Sequence, residues 1–241
     1  MNKTVFFHDL GLTDYRDAWQ FQRLLFERII ARKRDNRAQG ASTPTENHLL
    51  LTEHSPVYTL GKHGKASHLL FPQERLSEEG IGFYHTDRGG DITFHGPGQI
   101  VAYPILDLDN FIPNLHLHVH RMEETVIRTL ADYNVPAARV AGRSGVWIDP
   151  GTPWARKICA VGVRSSRGVT MHGLALNVNT DLEYFARIVP CGISDSGVTS
   201  LAHEKGQTLD MNTIGKTLLR HFAQVFDCQI VPAPRADSDG I

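Results

Sequence analysis

The chain has 241 residues, which fits one α/β domain or at most two small ones. Apolar residues make up 41% and charged residues 21%, the composition of an ordinary globular protein. The 25 basic and 26 acidic side chains nearly cancel, which argues against a nucleic-acid-binding protein, because such proteins carry a basic excess. No apolar run reaches the length of a membrane span, and the first residues become polar too early for a signal peptide.

The three cysteines are Cys159, Cys191 and Cys228. Their odd number and wide spacing argue against a zinc knuckle and against a disulfide scaffold. Reduced thiols fit a cytoplasmic protein, so we expect that location.

The first half of the chain alternates strand and helix patterns. A helix capped by Asp14 is predicted over 15–33, because apolar residues recur there at helical spacing. Residues 35–46 are polar and include glycine and proline, which predicts an exposed, mobile loop. The other elements predicted here are strands at 5–10, 48–53, 57–60, 81–86 and 99–108 and a short helix at 72–79.

The second half continues the same mixture. His116, His118 and His120 begin the next helix, and we interpret them as solvent-facing residues rather than metal ligands, because no acidic or cysteine partner completes a ligand set. The tail, 232–241, is polar and predicted to be loose. The remaining elements are helices at 116–133 and 211–226, a strand at 146–148 and a hairpin of strands 156–164 and 169–178. Since no linker or repeat divides the chain, a single domain over 1–241 is predicted.

Residues 88–99, with four glycines and one proline, form the most unusual stretch. Glycine allows another molecule to approach the main chain closely, so this stretch is predicted to form the wall of a binding site. A tight hairpin whose glycines only satisfy turn geometry is the alternative.

The second half also contains two residues that suit covalent chemistry. Cys191 lies between proline and glycine, where a thiol is exposed enough to react, but it needs a cationic neighbour to ionise near neutral pH. Lys157 lies in an apolar strand, where strict alternation places it on one face with Cys159 and Val161. A Cys191–Lys157 pair and two unrelated residues are both consistent with this pattern. A histidine base, His95 or His172, is equally open and would indicate a hydrolase.

Four segments together resemble the lipoyl(octanoyl) transferase family: 88–99, 157–159, 172–177 and 190–192, in that order. Residues 53–61 add to the resemblance, which extends from about Leu49 to Leu201. It implies an α/β (α+β) fold, a mixed β-sheet flanked by helices, like the catalytic domain of biotin and lipoate ligases. It also implies an acyltransferase of lipoate biosynthesis. Such an enzyme moves an octanoyl or lipoyl group from acyl carrier protein, through a cysteine thioester, to a lysine of a lipoyl domain or of the glycine-cleavage H protein.

By the same resemblance, Cys191 carries the acyl group and Lys157 lowers its pKa, with His172 in possible support. The substrate-binding residues implied are Arg88, Gly89, Gly90, Asp91, Ile92, Thr93, Phe94, His95, Ala160, Val161, Gly162, Gly173, Leu174 and Ala175. No cofactor or metal is implied, because the donor thioester is already activated. The expected partners are the acyl carrier protein and the lipoyl acceptors, with neither nucleic acid nor membrane, and the enzyme is expected to be a monomer. Asp91 stands where the family often has a neutral residue, which leaves its role open.

Three other functions fit parts of the pattern. An ATP-dependent lipoate or biotin ligase shares the implied fold but does not need Cys191. A non-catalytic acyl-carrier-binding module would bind the same partners without transferring the acyl group. A Cys-His hydrolase would release the acyl group to water.

Overall fold

The structure, a computed structural model, describes residues 1–189 and 197–234. Twelve strands are assigned within them: β1 (Thr4–Thr13), β2 (His48–His54), β3 (Val57–Leu60), β4 (Gly82–His85), β5 (Ile92–His95), β6 (Gln99–Ile105), β7 (Ala138–Val140), β8 (Arg143–Ile148), β9 (Arg156–Ser166), β10 (Val169–Asn177), β11 (Gly197–Val198) and β12 (Gln229–Pro232). The α-helices are α1 (Tyr15–Gln39), α2 (Gln73–Glu78), α3 (Leu115–Asp132), α4 (Leu201–Lys205) and α5 (Met211–Phe226). Short 3₁₀ helices cover Ala66–His68, Leu108–Asn110 and Leu182–Arg187.

Nine of these strands form one mixed sheet in the order β12-β1-β2-β6-β10-β9-β8-β7, with β11 also paired to β9. The pairs β12–β1, β1–β2 and β11–β9 are parallel, and the other pairs are antiparallel. A second sheet has three strands in the order β4-β3-β5. The predicted mixed sheet flanked by helices is therefore confirmed.

Helices cover both faces of the large sheet. One core forms beneath α3 and α5, where Met122 and Phe222 join the sheet residue Leu49. The other forms beneath α1, where Phe26 packs with Leu50 of the same strand. Neighbouring residues of β2 thus enter opposite cores, which explains why the strand has a continuous apolar sequence rather than an alternating one.

The first long helix extends further than its apolar pattern predicts. Asp14 caps it as expected, by accepting a hydrogen bond from the backbone N–H of Arg16 at 2.8 Å. At the other end α1 continues through polar residues to Gln39 and stops at Gly40, which has the left-handed φ of 60°. Residues 35–39 are therefore helical, and the predicted loop boundary at residue 35 is wrong, because the glycine cap rather than the last apolar residue ends the helix.

The small sheet also differs from the sequence prediction. Strands β2 and β3 are separated by a short turn, as predicted, but they enter different sheets. β3 pairs with β4 and β5, and their core contains Tyr58, Ile92 and Phe94. At the end of the chain, Pro232 belongs to β12 rather than to the predicted loose tail, and residues 235–241 lie outside the described residues. No described helix has the length and apolarity that a membrane crossing requires.

The three histidines of α3 have different environments. His116 and His120 are exposed as predicted, but His118 is buried, with 3% of its surface accessible. Its ring lies 5.6 Å from the ring of Phe226 on α5, and neither ring nitrogen has a hydrogen-bond partner among the described residues. The prediction of a solvent-facing side chain is wrong at this position, because α5 packs over it. Burial lowers the pKa of His118 to about 3.

Replacing His118 with leucine is expected to stabilise the protein increasingly as the pH falls below 6.5. Between the ordinary histidine pKa near 6.5 and the folded value near 3, the unfolded chain binds a proton that the folded protein does not bind. Stability is therefore lost as the pH falls through this window. At pH 5.5 the gain in unfolding free energy should exceed the gain at pH 7.5 by about 1.4 kcal/mol. Urea unfolding at both pH values measures it, with exposed His120→Leu as the matched control. An equal pH dependence in both variants would contradict the prediction.

Candidate active site

A cavity of about 820 Å³, counted with its open mouth, is lined by residues of both sheets. Its lining residues are Tyr15, Arg88, Gly89, Gly90, Asp91, Ile92, Thr93, His95, Gln99, Val101, Tyr103, Ser144, Lys157, Ala160, Val161, Gly162, His172, Gly173, Leu174, Ala175, Asn177, Phe185 and Val198. The structure thus brings together the predicted glycine-rich stretch, the lysine strand and the 172–177 strand. Of the predicted site residues that the structure describes, only Phe94 is missing from this lining, and Cys191 lies outside the described residues.

These two have different explanations. Phe94 is buried in the core of the small sheet, where its ring stacks on Tyr184 with 4.4 Å between centroids. It packs behind the cavity wall, between two residues that line the cavity, and its role in binding remains a prediction. Cys191 lies outside the described residues.

Several lining residues were not predicted. Tyr15 begins α1, far from the motifs in sequence, and Val101 and Tyr103 belong to a strand that is indistinguishable from core. Gln99 and Asn177 carry a recognisable signal, because each is a buried polar residue at the end of an apolar strand. Such residues require hydrogen-bond partners, which is the argument that singled out Lys157. The other residues not predicted are Ser144, Phe185 and Val198.

The glycine-rich stretch lies directly against β9. The backbone N–H of Gly89 donates to the carbonyl of Val163 at 2.8 Å. A Cβ atom at Gly162 would lie 2.9 Å from the carbonyl oxygen of Gly89, so any side chain there would push the two walls apart. Residues 88–91 form one wall of the cavity, as predicted, rather than an isolated hairpin.

Arg88 and His95 hold this wall in place. The Arg88 guanidinium donates to both the carbonyl and the hydroxyl oxygen of Thr59, with Nη2 at 2.5 and 2.9 Å respectively. His95 Nδ1 lies 2.8 Å from Gln99 Oε1, and its Nε2 lies 3.4 Å from the hydroxyl of Thr59. Because the amide nitrogen of Gln99 donates to Asn177, its oxygen must accept, so the His95 proton is on Nδ1.

His95 is therefore neutral and engaged through both ring nitrogens. Burial lowers its pKa to about 3.

His95 is therefore a poor candidate for a catalytic base, because both of its ring nitrogens are used in hydrogen bonds that hold the wall. The network continues from Gln99 Nε2 to Asn177 Oδ1 at 2.8 Å and from Asn177 Nδ2 to the carbonyl of Thr199 at 3.0 Å. It thus connects the wall to the chain that follows β11.

His172 lines the cavity beside the wall that contains Arg88. Its Nε2 lies 2.7 Å from a carboxylate oxygen of Asp87, and Arg164 forms an ion pair with the same carboxylate. Its φ of 61° is unusual for a residue other than glycine, and its backbone N–H donates to Gln22 Oε1 at 2.9 Å. Burial lowers its pKa, and Asp87 acts in the opposite direction.

The sheet register separates His172 from the lysine. His172 pairs with Val163, six positions beyond Lys157 on the same strand. At the rise of a β-strand this amounts to roughly 20 Å. We therefore assign His172 to the end of the cavity that is far from Lys157, and not to the reaction at that lysine.

Lys157 lies where β9 changes partners. On one side it pairs with Trp147 of β8, and on the other it pairs with Val198 of β11. A bulge between Val146 and Trp147 interrupts the alternation of β9. Lys157 consequently lines the cavity, whereas Cys159 is buried in the core beneath α3 and α5. The predicted shared face of Lys157 and Cys159 is wrong for this reason.

The described ends of the segment that contains Cys191 both border the cavity region. Before it, the backbone N–H of Val189 donates to the carbonyl of His68 at 2.8 Å, and the nearby Phe185 lines the cavity. After it, Gly197 begins the strand that runs beside Lys157. Cys191 is two residues from the first anchor and six from the second.

Asp91, whose role was open, lies near the first of these anchors. Its carboxylate is 2.5 Å from Nδ1 of His68, and it also accepts the backbone N–H of Ile92 at 2.7 Å. It thus ties the cavity wall to the turn that contacts Val189. Within the described residues, no three His, Cys, Asp or Glu side chains cluster as metal ligands would.

The chain belongs to the family described as the lipoyl protein ligase A/B catalytic domain, whose model matches residues 14–223. An octanoyltransferase of Flavobacterium psychrophilum is 50% identical over 232 residues, covering 96% of this chain and 100% of that protein. An octanoyltransferase of Christiangramia forsetii is also 50% identical, covering 95% and 99% of the two chains. An octanoyltransferase of Bacteroides fragilis is 49% identical, covering 88% of this chain and 93% of that protein.

Solved structures share the fold. A bipartite lipoate protein ligase of Thermoplasma acidophilum matches with a TM-score of 0.67 at 14% identity, covering 98% of this chain and 88% of that one. A lipoate-protein ligase A structure bound with ATP matches with a TM-score of 0.67 at 13% identity, covering 98% and 90%. At this level of identity they establish the architecture, and the predicted likeness to lipoate ligases is confirmed.

Proposed function

We propose that this chain transfers an octanoyl group from the thioester of acyl carrier protein to a lysine of a lipoyl domain or H protein. The name shared by its full-length relatives supports an acyltransferase of lipoylation. The single structural observation that carries the proposal is Lys157, placed in the cavity beside the strand that follows the Cys191 segment.

In the first half-reaction the Cys191 thiolate attacks the donor carbonyl. A nearby Lys157 ammonium favours the thiolate, because an opposite charge stabilises the charged form. A carbon–sulfur bond forms to Cys191, and the bond to the carrier sulfur breaks. The carrier leaves as a thiolate that takes a proton from the Lys157 ammonium, which leaves Lys157 neutral. Backbone N–H groups at the cavity mouth would stabilise the transient oxyanion.

In the second half-reaction an acceptor lysine amine attacks the Cys191 thioester. The amine must lose a proton as the amide forms, and the Lys157 left neutral by the first half-reaction would accept it. The amide product leaves, and the Cys191 thiolate and the Lys157 ammonium are regenerated together. The thioester supplies the free energy of both steps, so the proposal requires neither ATP nor a metal.

The acyl chain would lie in the cavity that β9, β10 and the glycine-rich stretch line together. Ala160 of β9 and Ala175 of β10 are paired small residues that line this cavity. Gly162 and Gly173 also line it, and their missing side chains allow the backbone of Gly89 and of Ala102 to approach closely. The lining beyond them is largely apolar, which suits a saturated chain. We assign the predicted binding residues, apart from Phe94, to this acyl channel.

The location and the oligomeric state of the enzyme can also be inferred. We infer a cytoplasmic location, since Cys159 and Cys228 are both free thiols and the carrier thioester would be the donor. We infer a monomer, because one chain supplies both sheets that line the cavity.

An acyl-transfer assay separates this function from its rivals. Octanoyl-carrier protein and a lipoyl domain should give octanoylated domain without ATP, and free octanoate should give none even with ATP. Product that appears only from octanoate and ATP would identify a ligase. Loss of the donor thioester as free octanoate would identify a hydrolase, and binding without turnover would identify a non-catalytic module.

A further inference from the structure

We infer that Trp147 is a positioning residue of this reaction, whose indole face holds the Lys157 ammonium at the cavity. The inference rests on the proposed function, because that function gives Lys157 its task. It adds a residue from β8, a strand that carries none of the motifs recognised in the sequence.

The contact is close and shielded. Lys157 Nζ lies 4.7 Å from the centroid of the Trp147 ring, well within the distance of about 6 Å at which a cation is attracted to an aromatic face. Trp147 is 2% exposed, and Lys157 is half-buried. Because desolvation strengthens the attraction, this pair should hold the ammonium more firmly than a surface pair would.

The backbone of β8 near Trp147 leaves room for the aliphatic part of the Lys157 side chain. Gly145 has a φ of 110°, and a Cβ there would lie 2.5 Å from the carbonyl oxygen of Cys159 and 3.5 Å from both Cδ and Cε of Lys157. The aliphatic stem therefore passes along a position that only glycine leaves open. The backbone N–H of Gly145 donates to Glu123 Oε1 at 2.8 Å, which fixes this strand to α3.

Other charges surround the pair. The guanidinium of Arg143 lies 6.0 Å from the same Trp147 ring centroid, so two cations share one aromatic group. Glu123 approaches the pair from α3. With Arg143 at the same ring, the negative face of the indole offsets the repulsion between the two cations, which would otherwise displace the Lys157 ammonium.

The experiment uses tryptophan fluorination, which keeps the shape of the ring but weakens its negative face. The full chain is prepared with trifluorotryptophan at all three positions, Trp19, Trp147 and Trp154, and also as the Trp147→Phe variant with the other two labelled. Iodoacetamide alkylation of Cys191 is measured between pH 5 and 9, together with kcat and KM for octanoyl transfer. Fluorination should slow alkylation near pH 6.5 about threefold to tenfold in the native sequence, and it should lower kcat more than it changes KM.

In Trp147→Phe, labelling the two remaining tryptophans should change neither rate. The exposed Trp154, with 76% of its surface accessible, provides a second control, since Trp154→Phe should leave the fluorination effect intact. Equal responses in the native sequence and Trp147→Phe, or no response in a chain whose melting temperature shows that it is folded, would overturn the inference. Absence of an octanoyl thioester on the unlabelled native chain would instead refute the proposed function, and the alkylation profile would still report on Trp147.

Discussion

Cys191→Ser is expected to abolish the octanoyl-enzyme and to reduce octanoyl transfer by at least about 10³-fold. A serine hydroxyl stays protonated near neutral pH, and a lysine ammonium cannot ionise it as it ionises a thiol. Intact-mass spectrometry of the enzyme after incubation with octanoyl-carrier protein should show one octanoyl adduct on the native chain and none on the variant.

Cys228→Ser is the matched control. Cys228 is half-buried, and burial raises the pKa of its thiol to about 11, so it should contribute no nucleophile at pH 7. Cys159 lies in the core, and burial raises its pKa as well. The control should therefore keep both the adduct and the transfer rate. An adduct that survives Cys191→Ser, or disappears with Cys228→Ser, would contradict the assignment.

The regular elements were largely predictable because their apolar patterns are local. The structure has α5 at Met211–Phe226, the predicted bounds, and the hairpin of β9 and β10 lies where the predicted strands 156–164 and 169–178 were placed. The small sheet was not predictable in the same way. β3 finds its partners 25 and 35 residues further along the chain, and no local pattern distinguishes that pairing from a continuation of β2.

For the candidate site as well, local motifs were predictable and contacts between elements were not. Motif residues such as Arg88 and Gly162 line the cavity, and the glycine-rich stretch forms its wall, as expected. What the sequence could not reveal depends on a bulge and on packing between elements. The bulge in the β8–β9 pairing moves Lys157 away from the face of Cys159, and α5 buries His118. Both corrections come from contacts between two elements, which the apolar pattern within either element does not reveal.

Lys157 can be tested by two substitutions that separate its two tasks. Lys157→Met removes the positive charge, so the pKa of the Cys191 thiol should rise towards about 8.5. At pH 7 only a few per cent of such a thiol is ionised, although the more basic thiolate is intrinsically more nucleophilic. Alkylation by iodoacetamide should therefore slow about tenfold, and octanoyl transfer about 10²-fold, because the proton acceptor is lost as well.

Lys157→Arg keeps the positive charge but supplies a group that stays protonated at any working pH. We expect the first half-reaction to persist, so the octanoyl-enzyme should accumulate. The second half-reaction should slow about 10²-fold, since a guanidinium cannot accept the proton of the incoming amine. Rapid-quench mass spectrometry measures both steps on the same sample. If the arginine variant forms its adduct and passes it to the lipoyl domain at the native rate, Lys157 is not the base. If the methionine variant keeps the native alkylation profile, the lysine is not the cation that ionises Cys191.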